Sequence, residues 1–151
     1  MTTWIESWTI PISNCMRVVL DTNVLIVSLA SYSKYFPIYQ ALLDKRFQLY
    51  VSNEIVAEYE EQIGKRLGLE RTDVKFRELL NLDNIHFVDP TYNWQLIEAD
   101  PDDNKFVDCA IAANADCVVT NDSHFNVLKD VTFPHVSVIN ISDFVLILSK
   151  V

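Results

Sequence analysis

The sequence predicts an α/β fold: a three-layer α/β/α sandwich around a five-stranded, mostly parallel sheet. Three observations lead there. Short β-branched apolar runs, such as residues 18–20 and 117–119, have the composition of strands buried on both faces. Segments with the apolar spacing of helices separate most of these runs, as the crossovers of a parallel sheet require. Two of the strands end in an acid, at Asp21 and Asp122, and ligands of parallel sheets bind where strands end and helices begin.

The first strand, residues 18–20, stops at Asp21, and a helical periodicity runs from Val24 to Leu29. Asp21 by itself reads as a cap of that helix. Residues 36–44 form a second helix, with Pro37 tolerated in its first turn. Residues 47–51 are the second strand. Ser52 is an N-cap for a helix to about Leu67 with the stripe Ile55, Val56, Tyr59, Ile63 and Leu67, and Glu58 borders that stripe. Thr72 is expected to cap a short helix ending near Leu80. Residues 85–88 are the third strand, with His86 structural. Residues 92–98 carry no clear periodicity.

The stretch from Asp100 to Ala113 opens with helix-start chemistry: Asp100 at N-cap, Pro101 at N1 and Asp103 at N3. The helix dipole accounts for acids there without function. Asp108 differs, because it is the only polar residue between Phe106 and Ala113. A buried carboxylate is costly unless it is paired, so Asp108 is expected to serve a metal or polar site, with Asn104 on the same face. Residues 117–120 are the fourth strand, residues 124–128 a short helical turn, residues 136–139 the fifth strand, and Ser142 the cap of a final helix over 144–148.

Composition narrows the function. The chain has 151 residues, half of them hydrophobic, which suits one globular domain. Only two glycines are present, which excludes a glycine-rich phosphate loop. The three cysteines have no CxxC spacing, which points to reduced thiols in a cytoplasm. No apolar run approaches a membrane span, and residues 1–8 lack the pattern of a signal peptide. Trp4 and Trp8 are expected to pack on the domain or on a partner. A net charge of −9 excludes a general phosphate-gripping surface, so any nucleic-acid chemistry must rest on a local site.

Asp21, Glu58, Asp108 and Asp122 come from four elements that converge only at the C-terminal edge of the sheet. Crowded carboxylates repel one another, and a hard divalent cation with oxygen ligands resolves the conflict. Such a site polarises phosphoryl oxygens and activates water.

The motifs resemble the PIN domain family of metal-dependent ribonucleases. The matching residues are Val19-Leu20-Asp21-Thr22-Asn23-Val24-Leu25, Ser52 through Glu58-Tyr59, Asp100 through Asp103-Asn104 to Asp108-Cys109-Ala110, and Val118-Val119-Thr120-Asn121-Asp122. The resemblance spans residues 16 to about 150 and is nearest to toxins of type II toxin–antitoxin pairs. It implies a PIN-like nuclease domain over 16–151, with 1–15 an extension outside the family pattern and dispensable for folding. It implies an endoribonuclease in which Asp21, Glu58, Asp108 and Asp122 are catalytic. These four, with Asp103, would ligate Mg²⁺ or Mn²⁺, and Asn23, Ser52, Asn104, Thr120 and Asn121 would support them. RNA as substrate, a cognate antitoxin, a homodimer and a cytoplasmic location belong to the same implication; a membrane does not. Two other classes compete. A degenerate module would bind RNA or protein without turnover. A phosphatase would use Asp21 as nucleophile, but Asn23 stands where that chemistry commonly wants a second Asp.

Overall fold

The computed structural model describes residues 15–150. The expected roles of Trp4, Trp8 and most of the 1–15 extension lie outside the described residues.

Strand β1 (Arg17–Leu20) is the centre of the sheet. Its neighbours are β2 (Gln48–Val51) and β4 (Cys117–Val119), and β3 (Ile85–Phe87) and β5 (Val138–Ile139) form the edges. The order is β3-β2-β1-β4-β5, and every pairing is parallel. Val18, Val19 and Leu20 are all fully buried, as an apolar run without alternation requires for a strand covered on both faces.

The chain leaves β1 for β2 and β3 on one side, then returns past β1 to build β4 and β5 on the other. Leu20 pairs with Val119 across the two central strands. Beyond that pair, the connections following β1 and β4 diverge, and such a point opens a crevice at the carboxyl ends of the strands. Asp21 and Asp122 follow these two strands.

Helix α1 (Thr22–Ser28) follows β1, and α2 (Phe36–Leu43) follows α1. Helix α3 (Asn53–Leu67) starts where Ser52 Oγ accepts a hydrogen bond from the Ile55 N–H. Its buried residues Ile55, Tyr59 and Ile63 recur at four-residue spacing, one face of a helix. Tyr59 ties that face to the sheet by donating its hydroxyl to the Leu20 carbonyl (2.5 Å).

Helix α4 (Leu69–Leu80) begins earlier than the sequence suggested. Gly68 takes φ 80° and breaks the chain between α3 and α4, a conformation that favours glycine. Thr72 therefore lies inside α4 and donates its hydroxyl back to the Gly68 carbonyl (2.6 Å). A 3-10 turn (Pro101–Asp103) leads into α5 (Asn104–Ala113), which packs over β1, β2 and β4. A second 3-10 segment (Ser123–Asp130) covers residues 124–128 and connects β4 to β5.

Helix α6 (Ile141–Ser149) is capped by Asn140, whose side chain accepts from the Asp143 N–H (2.8 Å), not by Ser142 as expected. Ser142 is exposed in the first turn. Cys109 and Cys117 are buried and behave as small core residues; burial pushes the Cys109 thiol up to about 12. Among the described residues no helix is long and apolar enough to cross a membrane.

Candidate active site

Strand β1 delivers Asp21 to the crevice. Its backbone occupies the N-cap position of α1, and its carbonyl accepts the Val24 and Leu25 N–H groups (3.0 and 3.2 Å). Its carboxyl group makes no capping bond. Instead Oδ2 accepts from the Thr120 hydroxyl (2.6 Å) at the end of β4, 99 residues away in sequence. The backbone thus does the capping, and the carboxylate is available for another task.

Thr120 is the hinge of the arrangement. Its hydroxyl donates to Asp21 and also accepts the Asp122 N–H (3.0 Å), so one side chain sets two acids. Asp122 Oδ1 accepts the His124 N–H (2.9 Å). Asn121 turns the other way and accepts the Ile141 N–H (2.9 Å), anchoring the start of α6. Asn23 is exposed and lines a cavity of about 300 Å³ together with Asp21, Asn121, Asp122 and Tyr35.

The 3-10 turn ahead of α5 contributes Asp103, which is 9% exposed. Among the described residues its Oδ2 is buried without a hydrogen-bond partner. Burial pushes the Asp103 carboxyl up to about 7, helped by the charges of Asp122 and Asp100, a hydrogen bond shared with Asp122, and the charge of Asp21. Asp21 is raised as well, by burial first, against the opposing Thr120 hydrogen bond and with Asp122 and Glu58 adding repulsion. Three acids from three elements therefore share one site: Asp21, Asp103 and Asp122.

Asp100 and His124 extend the same site, since one donor atom from each of Asp100, Asp103, Asp122 and His124 lies within 4.8 Å of the others. The sequence reading missed both as ligand candidates. Helix-start chemistry explains Asp100, whose Oδ1 does accept the Asp102 N–H (3.2 Å). His124 has no spacing signature at all.

Glu58 reaches the site from α3 with both oxygens engaged. Oε2 accepts from the Thr22 hydroxyl, and Oε1 pairs with the Lys105 ammonium at 3.0 Å. The Lys105 side chain is only 10% exposed. It places a cation on α5 beside Glu58, a role the sequence did not reveal.

Asp108 faces a different set of neighbours. Its carboxyl accepts the Trp94 N–H (3.1 Å), and the neighbouring charge that acts on it is Glu54. It lines a cleft of about 580 Å³ with Glu54, Asn93 and Lys105, and Lys105 in turn pairs with Glu58. The helix geometry is the reason. Five residues carry Asp108 ~7.5 Å along the axis from Asp103 and ~140° around it. Of the two acids, Asp103 is the one the fold brings to Asp21 and Asp122. Two expected supporting residues bond to backbone groups. Asn104 clamps Ile97 through both its N–H and its carbonyl (2.9 and 3.0 Å), and Ser52 is the cap of α3.

A profile of the PIN domain family matches residues 17–124. The chain belongs to that family. The match takes in β1, Glu58, the acids from Asp100 to Asp108, and the β4 end with Asp122 and His124. The PIN fold is also that of three solved structures. VapBC2 from Rickettsia felis, bound to a DNA fragment from its promoter, is 20% identical, with TM-score 0.58 and coverage of 83% of this chain and 98% of that one. PAE2754 from Pyrobaculum aerophilum is 11% identical, with TM-score 0.54 and coverage of 91% and 92%. FitAB bound to the IR36 DNA fragment is 17% identical, with TM-score 0.53 and coverage of 82% and 94%. Curated protein sequences give no match.

The residues of this PIN domain suit a divalent cation. Acids forced together in a buried crevice carry a repulsion that a cation relieves. The unsatisfied Asp103 Oδ2 is a second mark of the same kind, because a buried oxygen without a donor lacks a partner that a cation would supply.

Proposed function

We propose that this PIN domain is a metal-dependent endoribonuclease that hydrolyses RNA phosphodiester bonds as the toxin of a type II toxin–antitoxin pair. The observation that carries the reading is the buried Oδ2 of Asp103, without a hydrogen-bond partner among the described residues, on a carboxyl set beside Asp21 and Asp122 where β1 and β4 diverge. Asp21, Asp103 and Asp122 would hold Mg²⁺ or Mn²⁺, with Glu58 at the border of the site. When bound, the cation supplies water activation and neutralisation of charge on the phosphoryl group.

The chain's own residues do the rest. Thr120 fixes the direction of the Asp21 carboxylate and the position of the Asp122 backbone. Asp103, raised to about 7, can hold a proton at neutral pH when no cation is present. Glu58 is oriented by Thr22 and Lys105, and Lys105 adds positive charge in an otherwise acidic crevice, where it can meet a substrate phosphate. The overall charge of −9 means that RNA must be held by such local contacts and by the cation. The toxin assignment rests on the sequence resemblance to that branch of the family, and the fold shared with VapBC2 and FitAB agrees with it. An antitoxin covering the site and a cytoplasmic location follow from the same reading.

The test is cleavage of structured and single-stranded RNA with Mn²⁺, with Mg²⁺ and with chelator. Metal-dependent cleavage without a phosphorylated enzyme is expected. Binding without cleavage under all conditions would favour a degenerate module, and a phosphorylated Asp21 would favour a phosphatase.

A further inference from the structure

His124 is an outlier in an otherwise all-oxygen site. It lies two residues beyond Asp122, in the first turn of the 3-10 segment Ser123–Asp130. Its Nδ1 is 3.2 Å from Asp122 Oδ1, 3.5 Å from Asp103 Oδ2 and 3.9 Å from Asp100 Oδ2. These separations fit donors around one ion. Bonds of ~2.1 Å put adjacent ligands of an octahedral ion ~3.0 Å apart and opposite ones ~4.2 Å apart. The atom at 3.5 Å, Asp103 Oδ2, is the buried oxygen without a hydrogen-bond partner among the described residues. The imidazole and the orphaned oxygen therefore face the same small volume.

We propose that His124 Nδ1 is a metal ligand alongside Asp100, Asp103 and Asp122, and that this nitrogen makes the site prefer a first-row transition cation such as Mn²⁺ over Mg²⁺. The inference rests on the metal-dependent reading above and adds to it the chemistry that selects the ion. Carboxylates alone suit Mg²⁺, Ca²⁺ and Mn²⁺, whereas an imidazole nitrogen suits transition ions and is a poor partner for Mg²⁺. Ligation through Nδ1 places the ring proton on Nε2. Asp103 and Asp122 belong both to this group and to the Asp21 group, so the selected ion sits against the residues proposed to act in catalysis.

The test is pulsed electron paramagnetic resonance of the Mn²⁺-loaded protein, with Mn²⁺ and Mg²⁺ affinities measured by calorimetry. Wild type is expected to show modulation from a directly bound nitrogen. His124→Ala is expected to lose that signal, to bind Mn²⁺ at least ~10-fold more weakly, and to change little toward Mg²⁺. The side chain is 42% exposed, and melting in chelator checks that the variant folds. The other two histidines are engaged elsewhere, His86 with Gln48 and His135 with Ser137, and their alanine variants are expected to keep the nitrogen signal. Mn²⁺ bound without nitrogen modulation, or with modulation that survives in His124→Ala, would overturn the proposal and leave His124 as a neighbour of the acids with no part in ligation. Failure of wild type to bind Mn²⁺ at all would overturn the metal-dependent reading as well, so the two failures are distinguishable.

Discussion

Replacing Asp103 by Asn removes one carboxyl from the crevice while keeping its shape, and the effect on stability has a sign that depends on pH and metal. Burial and three neighbouring acids raise this carboxyl from 3.8 to about 7. A raised acid favours its neutral form in the folded state. Its contribution is therefore least harmful below about pH 4 and becomes a growing penalty as pH rises through the window from 3.8 to about 7. The full displacement corresponds to a ceiling of ~4 kcal/mol. Part of that displacement is repulsion from Asp122 and Asp100, which the neighbours can relax, so removing the Asp103 carboxyl should recover about half, ~2 kcal/mol. For a domain of this size that is a rise in Tm of ~4–8 °C. The assay is thermal melting of wild type and Asp103→Asn in chelator at about pH 4 and about pH 8. The variant is expected to melt higher at pH 8 and within a degree or two of wild type at pH 4. A cation that binds only the folded state adds ~2.7 kcal/mol at a hundred times its Kd, so saturating Mn²⁺ should reverse the order by stabilising wild type more. Equal pH dependence of the two proteins in chelator would refute the electrostatic reasoning. Equal response to Mn²⁺ would remove Asp103 from the ligand set.

Other outcomes separate the roles of neighbouring residues. Asp108→Asn is expected to respond to Mn²⁺ as wild type does, because its carboxyl accepts the Trp94 N–H and its neighbouring charge is Glu54; loss of the Mn²⁺ response in melting would support Asp108 as a ligand. Asp21→Asn is expected to abolish RNA cleavage with the fold intact by circular dichroism, and full activity in the folded variant would contradict its assignment. Thr120→Val removes the hydroxyl joining Asp21 to Asp122 and is expected to cost ~1–3 kcal/mol in denaturant unfolding together with most of the activity; an active variant of unchanged stability would show the hinge to be dispensable. Tyr59→Phe leaves the Leu20 carbonyl without its donor and should lower stability by ~1–2 kcal/mol while cleavage falls far less than in Asp21→Asn.

Local chemistry made much of the architecture legible. The run 18–20, the stripe Ile55-Tyr59-Ile63 and the cap Ser52 each state their own secondary structure, because strand and helix periodicity and capping bonds involve residues a few positions apart. Asp21 and Asp122 were legible for the same reason, since Asp21 directly follows a recognisable strand and Asp122 lies three residues beyond the end of another. Thr72 and Ser142 misled because capping residue types also occur within helices close to their start, and only backbone geometry at Gly68 and Asn140 decides which residue begins the helix.

The sequence by itself determined that strands and helices alternate, that a parallel sheet results, and that acids collect at its carboxyl edge. It could not choose between Asp103 and Asp108, which share one segment, because the choice depends on a rotation about the axis of α5 and on what the neighbouring strands present to each side. Nor could it pair Lys105 with Glu58 or bring His124 to Asp100 and Asp103. Those contacts join residues from separate elements, and they exist only because the strand order sets β4 beside β1 and seats α5 across both. Side-chain identity fixes what a group can do; tertiary placement, through burial and the charges it brings close, decided which of these groups share a site and how strongly each holds its proton.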